Sequence, residues 1–252
     1  MAKILRSSSS AFNSVRCAGR RLPHLFLPPS QLMHRRGLTN GHVSAAETWE
    51  TLHAQAESKV KDPTFERYGL GAFLRHEVLQ HDSLASGMSH LIAQKLRANG
   101  SCGNVDFEAA LKHAFDEDPA LAEYVAADLN RFLVVDPAVE NILGVYVFYK
   151  GFQAITCARV AHQFWKEPSF RSGEGGGGGH HGLVSGKMLA RLLQSEMADV
   201  YDVDIHPAAS FGKGVTIDHA TGVVIGETTK VGDGTHIMHD VTLGATGTSP
   251  DP

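Results

Sequence analysis

Residues 203–243 read VDIHPAASFGKGVTIDHATGVVIGETTKVGDGTHIMHDVTL, and this stretch decides the fold. From Ile205 an apolar side chain returns every six residues, at Phe211, Ile217 and Val223. After a shift of two residues the same period resumes at Ile225, Val231, Ile237 and Leu243. Small or β-branched residues (Ala209, Val215, Thr221, Thr229, Thr235, Val241) follow four places later in most units. Neither the helical period of 3.6 nor the two-residue alternation of a simple strand fits. A six-residue repeat instead predicts a parallel β-helix, with each apolar residue pointing into a triangular core and Gly212, Gly226, Gly232 and Gly244 at its corners.

The slip between Val223 and Ile225 falls just after His219. It reads either as a tolerated bulge or as a displaced loop that shapes a pocket beside the histidine. Asp204 lies fifteen residues before His219, close to one coil of eighteen, so stacking can bring the two side chains together. A carboxylate bonded to one imidazole nitrogen fixes the tautomer and leaves the other nitrogen free to remove a proton from an alcohol.

Upstream, the period is helical from Glu47 to about Lys166, as in Leu84, Met88, Leu91, Ile92 and Leu96. Asp82 is placed to cap that helix and Asn99-Gly100 to end it. Amphipathic stretches run over 65–79, 107–115 and 121–133, with Asp-Pro pairs at 62–63 and 118–119 as boundaries. The more apolar segment from Pro137 to Trp165 predicts one central helix, with Cys157 and His162 as packed or boundary residues. A short helix is expected from Lys187 to about Val200. Between them lies a glycine-rich insert at 168–185. Its His180-His181 pair sits in a glycine tract and cannot hold a defined coordination shell.

The net charge of −4 is unevenly spread. Seven of the 23 basic residues and none of the 27 acidic ones fall within 1–46, leaving −11 on the remainder. An acidic body lacks the basic footprint of a nucleic-acid binder. Residues 1–46, rich in Arg and Ser and interrupted by prolines, have the composition of an organelle transit peptide. Arg35-Arg36-Gly37-Leu38 favours a mitochondrial address, with the chloroplast as the alternative. No apolar run approaches the length needed to span a bilayer. Cys17, Cys102 and Cys157 form no CxxC pair and read as free thiols. The expected organisation is α+β: a transit segment at 1–46, an α-helical domain at 47–200 and a β-helix at 201–252.

The runs 203–209 (VDIHPAA) and 218–228 (DHATGVVIGET) resemble the signature of the serine O-acetyltransferases, which belong to the hexapeptide-repeat acyltransferases. Asp136-Pro137-Ala138-Val139 and Tyr149-Lys150-Gly151-Phe152-Gln153-Ala154 resemble that family's central-helix region. The resemblance implies a left-handed β-helix and transfer of acetyl from acetyl-CoA, as co-substrate, to the L-serine hydroxyl, giving O-acetyl-L-serine for cysteine synthesis. It implies His219 as general base, Asp204 as its orienting carboxylate, and Asp136 and Asp218 as ligands of the amino acid. Carboxylates suit an ammonium group. No metal is required, and the family's trimers, or paired trimers, imply a homo-oligomer.

After Leu243-Gly244 the sequence departs from the family pattern. The Gly-Asp-Arg-His-Pro segment and further coils expected there are absent, so the β-helix is expected to be incomplete. Most of the acetyl-CoA surface is expected beyond Pro252, and binding of the cysteine-forming lyase through a C-terminal tail is doubtful. Two other readings stay open: a catalytically impaired short form acting as a structural or regulatory subunit, and a β-helix zinc enzyme using His219, His236 and His239.

Overall fold

The computed structural model describes residues 43–99, 103–167, 170–171, 183–184 and 186–244, with 170–171 and 183–184 as backbone alone. Nearly all of the expected transit segment, Cys17, Cys102, His180-His181 and 245–252 lie outside the described residues. The chain divides into units 1–41 and 42–252, and the second is described below.

α1 (Ala45–Val60) opens on a capping box: the Ser44 hydroxyl accepts from the Glu47 amide, and the Glu47 carboxylate accepts from the Ser44 amide. α2 (Pro63–Arg67) follows the Asp62-Pro63 boundary, with Asp62 capping and Pro63 in the first turn, where its missing N–H costs nothing. The stretch to Leu79 does not continue as one helix. Gly69, at φ +75°, starts α3 (Leu70–Leu74), which passes into a π-helical turn, Arg75–Leu79. α4 (Leu84–Ala98) is capped by Ser83, whose hydroxyl accepts from the Ser86 amide at 3.2 Å, rather than by Asp82. Asp82 instead accepts from the Ser83 hydroxyl. α5 (Phe107–Glu117) and α6 (Ala120–Val135) follow, separated at Asp118-Pro119.

The expected single central helix is two, α7 (Ile142–Phe148) and α8 (Lys150–Lys166), with Tyr149 extended between them. The carbonyls freed at the break find side-chain donors. Gln153 Nε2 donates to the carbonyls of Tyr146 and Val147, both at 2.9 Å, and Lys95 Nζ donates to that of Val147 at 3.1 Å. Lys95 comes from α4, so the partner that permits the break is remote in sequence. Most of α8 is buried, including Phe152, Ile155, Val160, Phe164 and Cys157. Cys157 is a free thiol whose pKa burial pushes up to about 12, so it is inert as a nucleophile.

β1 (Phe170–Arg171) and β2 (Leu183–Val184) pair antiparallel, and α9 (Gly186–Tyr201) packs on α8. Then the period changes. β3 (Val203–Ile205), β6 (Val223–Ile225) and β9 (Thr242–Leu243) form one parallel sheet. β4 (Ser210–Phe211) pairs with β7 (Lys230–Val231), and β5 (Thr216–Ile217) with β8 (His236–Ile237). These are the three faces of the expected β-helix. Ile205, Ile217, Ile225 and Ile237 are buried along its axis.

The register locates the slip. Val203 lies opposite Val223 and Ile205 opposite Ile225, twenty residues apart, whereas Ile225 lies opposite Leu243 at the regular eighteen. The surplus pair is therefore in 218–222, the corner that carries His219. The left-handed backbone positions are also not those expected. Gly214, Gly222 and Gly234 have positive φ, whereas Gly212, Gly226, Gly232 and Gly244 do not.

Candidate active site

The corner at 218–222 is the most strained segment of the β-helix. His219 and Ala220 adopt φ +58° and +63°, conformations that non-glycine residues rarely take. The Ala220 amide bonds to the Asp218 carbonyl and the Thr221 amide to the His219 carbonyl, both at 2.7 Å, giving two successive three-residue turns. Such strain persists where surrounding contacts over-determine it, and several do. Ala220 is buried, Asp218 N donates to Ile237 O, and Asp240 N donates to Thr221 O. Lys150 Nζ reaches from the start of α8 to Thr221 Oγ1 at 2.6 Å. Next to Lys150, a Cβ on Gly151 would meet Ile217 O, so only glycine lets α8 approach the strand before the corner.

The result is an imidazole on display. The His219 side chain is 68% exposed, with Asp218 Oδ2 3.7 Å from its Nε2 and the His239 ring edge-on with centroids 5.6 Å apart. Asp136 ends α6, where Oδ1 accepts from the Ala138 amide at 2.8 Å and Oδ2 from the Tyr149 hydroxyl at 3.2 Å. Burial raises the pKa of that phenol, and the charges of Asp136 and then Asp218 raise it further. Tyr149 thus lies within electrostatic reach of both carboxylates. The α7–α8 break presents Tyr149 to Asp136, with the Asp218 charge in electrostatic range of the same phenol.

Asp204 stands differently. With a coil of twenty residues it lies opposite Val224, and its Oδ1 accepts from Gln194 Nε2 on α9 at 2.7 Å. No ion pair joins it to His219 among the described residues of one chain. The two extra residues displace the histidine from the position that a coil of eighteen would give it. Tyr149, Lys150 and Gln194 were not singled out for the site from the sequence; the first two stand in the quoted motif, and nothing local marks the third.

Within one chain His219, His236 and His239 do not come together as a set of three, although the His219 and His239 rings are in contact. His236 Nδ1 meets Thr216 Oγ1 at 2.8 Å, and the one group of three potential ligands among the described residues lies elsewhere, at His76, Glu77 and His90.

A helical domain running into a short parallel β-helix of six-residue turns defines a hexapeptide-repeat protein. Residues 48–157 match the family profile described as serine acetyltransferase, N-terminal. Serine acetyltransferase 5 of Arabidopsis thaliana is 37% identical over 206 residues, 81% of this chain and 59% of that protein. The serine acetyltransferase of Haemophilus influenzae is 31% identical over 201 residues, 80% of this chain and 67% of that one. Among solved structures, a serine acetyltransferase in complex with CoA superposes with a TM-score of 0.68 at 30% identity, covering 81% of this chain and 77% of its own. The soybean serine acetyltransferase complexed with serine gives 0.66 at 32% identity, covering 84% and 78%. The chain belongs to the serine acetyltransferase family, and its β-helix is the left-handed one of those structures. It spans about three fifths of the length of the Arabidopsis relative.

Proposed function

We propose that this protein is a serine O-acetyltransferase. What carries the reading is the strained two-residue excursion that exposes His219 beside Asp218. Relatives solved with CoA, serine and cysteine support the substrates. His219 removes the proton of the serine hydroxyl as that oxygen attacks the thioester carbonyl of acetyl-CoA. The tetrahedral intermediate then expels the CoA thiolate, which takes up the proton, leaving O-acetyl-L-serine. Asp136 and Asp218 accept hydrogen bonds from the serine ammonium. Asp204, which Gln194 holds on the preceding coil, is assigned the orienting role by the family resemblance and meets His219 through no contact among the described residues of one chain.

The protein acts as a homo-oligomer, a trimer or a pair of trimers. Its N-terminal segment directs it to a plastid, as the relative named chloroplastic suggests; the relatives lend no support to a mitochondrial address.

The test is release of CoA from acetyl-CoA by the native protein. Turnover should require L-serine and fall about 10²–10⁴-fold in His219→Ala with acetyl-CoA binding retained. Undiminished turnover in that variant would reject His219 as the base.

A further inference from the structure

The π-helical turn Arg75–Leu79 carries His76 and Glu77 against His90 of α4, on elements that hold none of the residues assigned to acetyl transfer. One ligand atom from each lies within 4.8 Å of the others. His76 Nδ1 is 3.0 Å from Glu77 Oε1 and 3.4 Å from His90 Nε2. Tetrahedral zinc, with bonds of about 2.0–2.2 Å, separates its ligand atoms by about 3.3–3.6 Å. Two of the three separations already approximate the edges of such a site.

Two independent observations point to a cation. The Glu77 side chain is 9% exposed, and its Oε2 is buried without a hydrogen-bond partner, a costly arrangement for a carboxylate. The nearby Lys95 ammonium is directed instead at Val147 O and Gln153 Oε1. Second, the far nitrogen of His90 is held from behind: Nδ1 lies 3.2 Å from Glu108 Oε2, and Lys112 Nζ fixes Glu108 Oε1 at 2.8 Å. A carboxylate accepting from Nδ1–H leaves the Nε2 lone pair free, which is the outer support that metal-binding histidines usually have. That lone pair faces His76 and Glu77. His81 packs on the His90 ring, but its own nitrogens meet His76 O and Ser86 Oγ. His76 is about half exposed, so the cluster borders solvent on that side.

We propose that His76, Glu77 and His90 bind a divalent first-row transition ion, zinc by ligand type, separate from the acyl-transfer site. The ion joins the π turn to α4 and, through Glu108, to α5, and π turns of this kind recur at functional sites.

Zinc binding to the full chain is measured by competition with a chromophoric chelator, and cobalt binding by visible absorption. Both are read in a His180→Ala/His181→Ala background so that the histidine tract contributes nothing. One ion per chain is expected, with cobalt bands of tetrahedral intensity. His76→Ala, at a half-exposed position that should leave folding intact, should abolish both signals. Glu108→Gln, which touches no metal, should weaken zinc binding about 10–100-fold. Less than one ion per chain, or affinity unchanged in His76→Ala and Glu108→Gln, would overturn the proposal. Because neither readout involves acetyl transfer, the outcome is independent of the proposed activity.

Discussion

Arg159 and Asp128 are joined side by side, Nε to Oδ2 at 2.8 Å and Nη2 to Oδ1 at 2.9 Å, with the arginine side chain 6% and the aspartate 0% exposed. The pair is also a junction. Arg159 on α8 donates onward to the carbonyls of Phe211 at 2.9 Å and Gly212 at 2.5 Å, and Asp128 on α6 accepts from the Val215 amide at 2.8 Å. Burial raises the Asp128 pKa to about 6 against the opposing pull of Arg159, which holds the carboxylate in a two-bond pair. Asp128→Ala should therefore cost about 3–5 kcal/mol by leaving a buried guanidinium without its counter-charge. Urea denaturation read by circular dichroism checks this, and a loss below about 1 kcal/mol would show the junction to be dispensable.

Gly151 tests how closely the helical part must approach the β-helix. Its Cβ position clashes with the backbone oxygen of Ile217, and backbone cannot swing aside as a flexible side chain can. Gly151→Ala should destabilise by about 1–3 kcal/mol, despite alanine's better helix propensity. It should also disturb the Lys150–Thr221 contact at the His219 corner. Thermal unfolding together with the KM for serine measures both effects; an unchanged Tm would contradict the close approach.

His206 should make stability depend on pH. Its side chain is 11% exposed, its Nδ1 accepts from the Ala208 amide at 3.0 Å, and Trp165 meets the ring edge-on. Burial and then the Arg191 charge lower its pKa below 6.5. A group whose folded pKa is depressed contributes stability that is present above the unfolded value and is lost as pH falls through the folded one. Tm should thus drop on acidification below pH 6.5, and His206→Asn should flatten that part of the profile. A slope identical in the two proteins would remove His206 as its source.

The roles proposed for Asp218, beside His219, and for Asp204, held by Gln194, can be separated kinetically. On the proposed roles, Asp218→Asn should raise the serine KM, because it removes the negative charge that faces the ammonium, and Asp204→Asn should lower kcat with KM little changed. Tyr149→Phe, which frees Asp136 from its 3.2 Å hydrogen bond, should shift serine KM more than kcat. Steady-state kinetics at fixed acetyl-CoA provides the comparison. A purely kcat effect for Asp218→Asn would exchange the two assignments.

How much of this was legible beforehand depends on the range of the interaction. Asp62-Pro63 and Asp118-Pro119 act within a few residues, and the helix boundaries they signal are present. The Pro137–Trp165 segment reads as one helix in the sequence, but its carbonyls at the break are satisfied by Gln153 and by Lys95, which is 52 residues from Val147. No local period reports such a partner. Likewise Asp82 and Ser83 both suit an N-cap, and the geometry of one turn chose the serine.

The sequence by itself determined the β-helix, because a six-residue apolar repeat has one way to bury its side chains in a triangular coil. It also marked the two-residue slip and the histidine beside it. Tertiary structure decided where the surplus residues go, and hence that His219 stands strained and exposed near Asp218 while Asp204 is held by Gln194. The reason is physical: repeat spacing specifies which residues face the axis, but the path of a corner outside that repeat is set by contacts such as Lys150 to Thr221 and Gly151 to Ile217, which arise only once α8 packs against the coil.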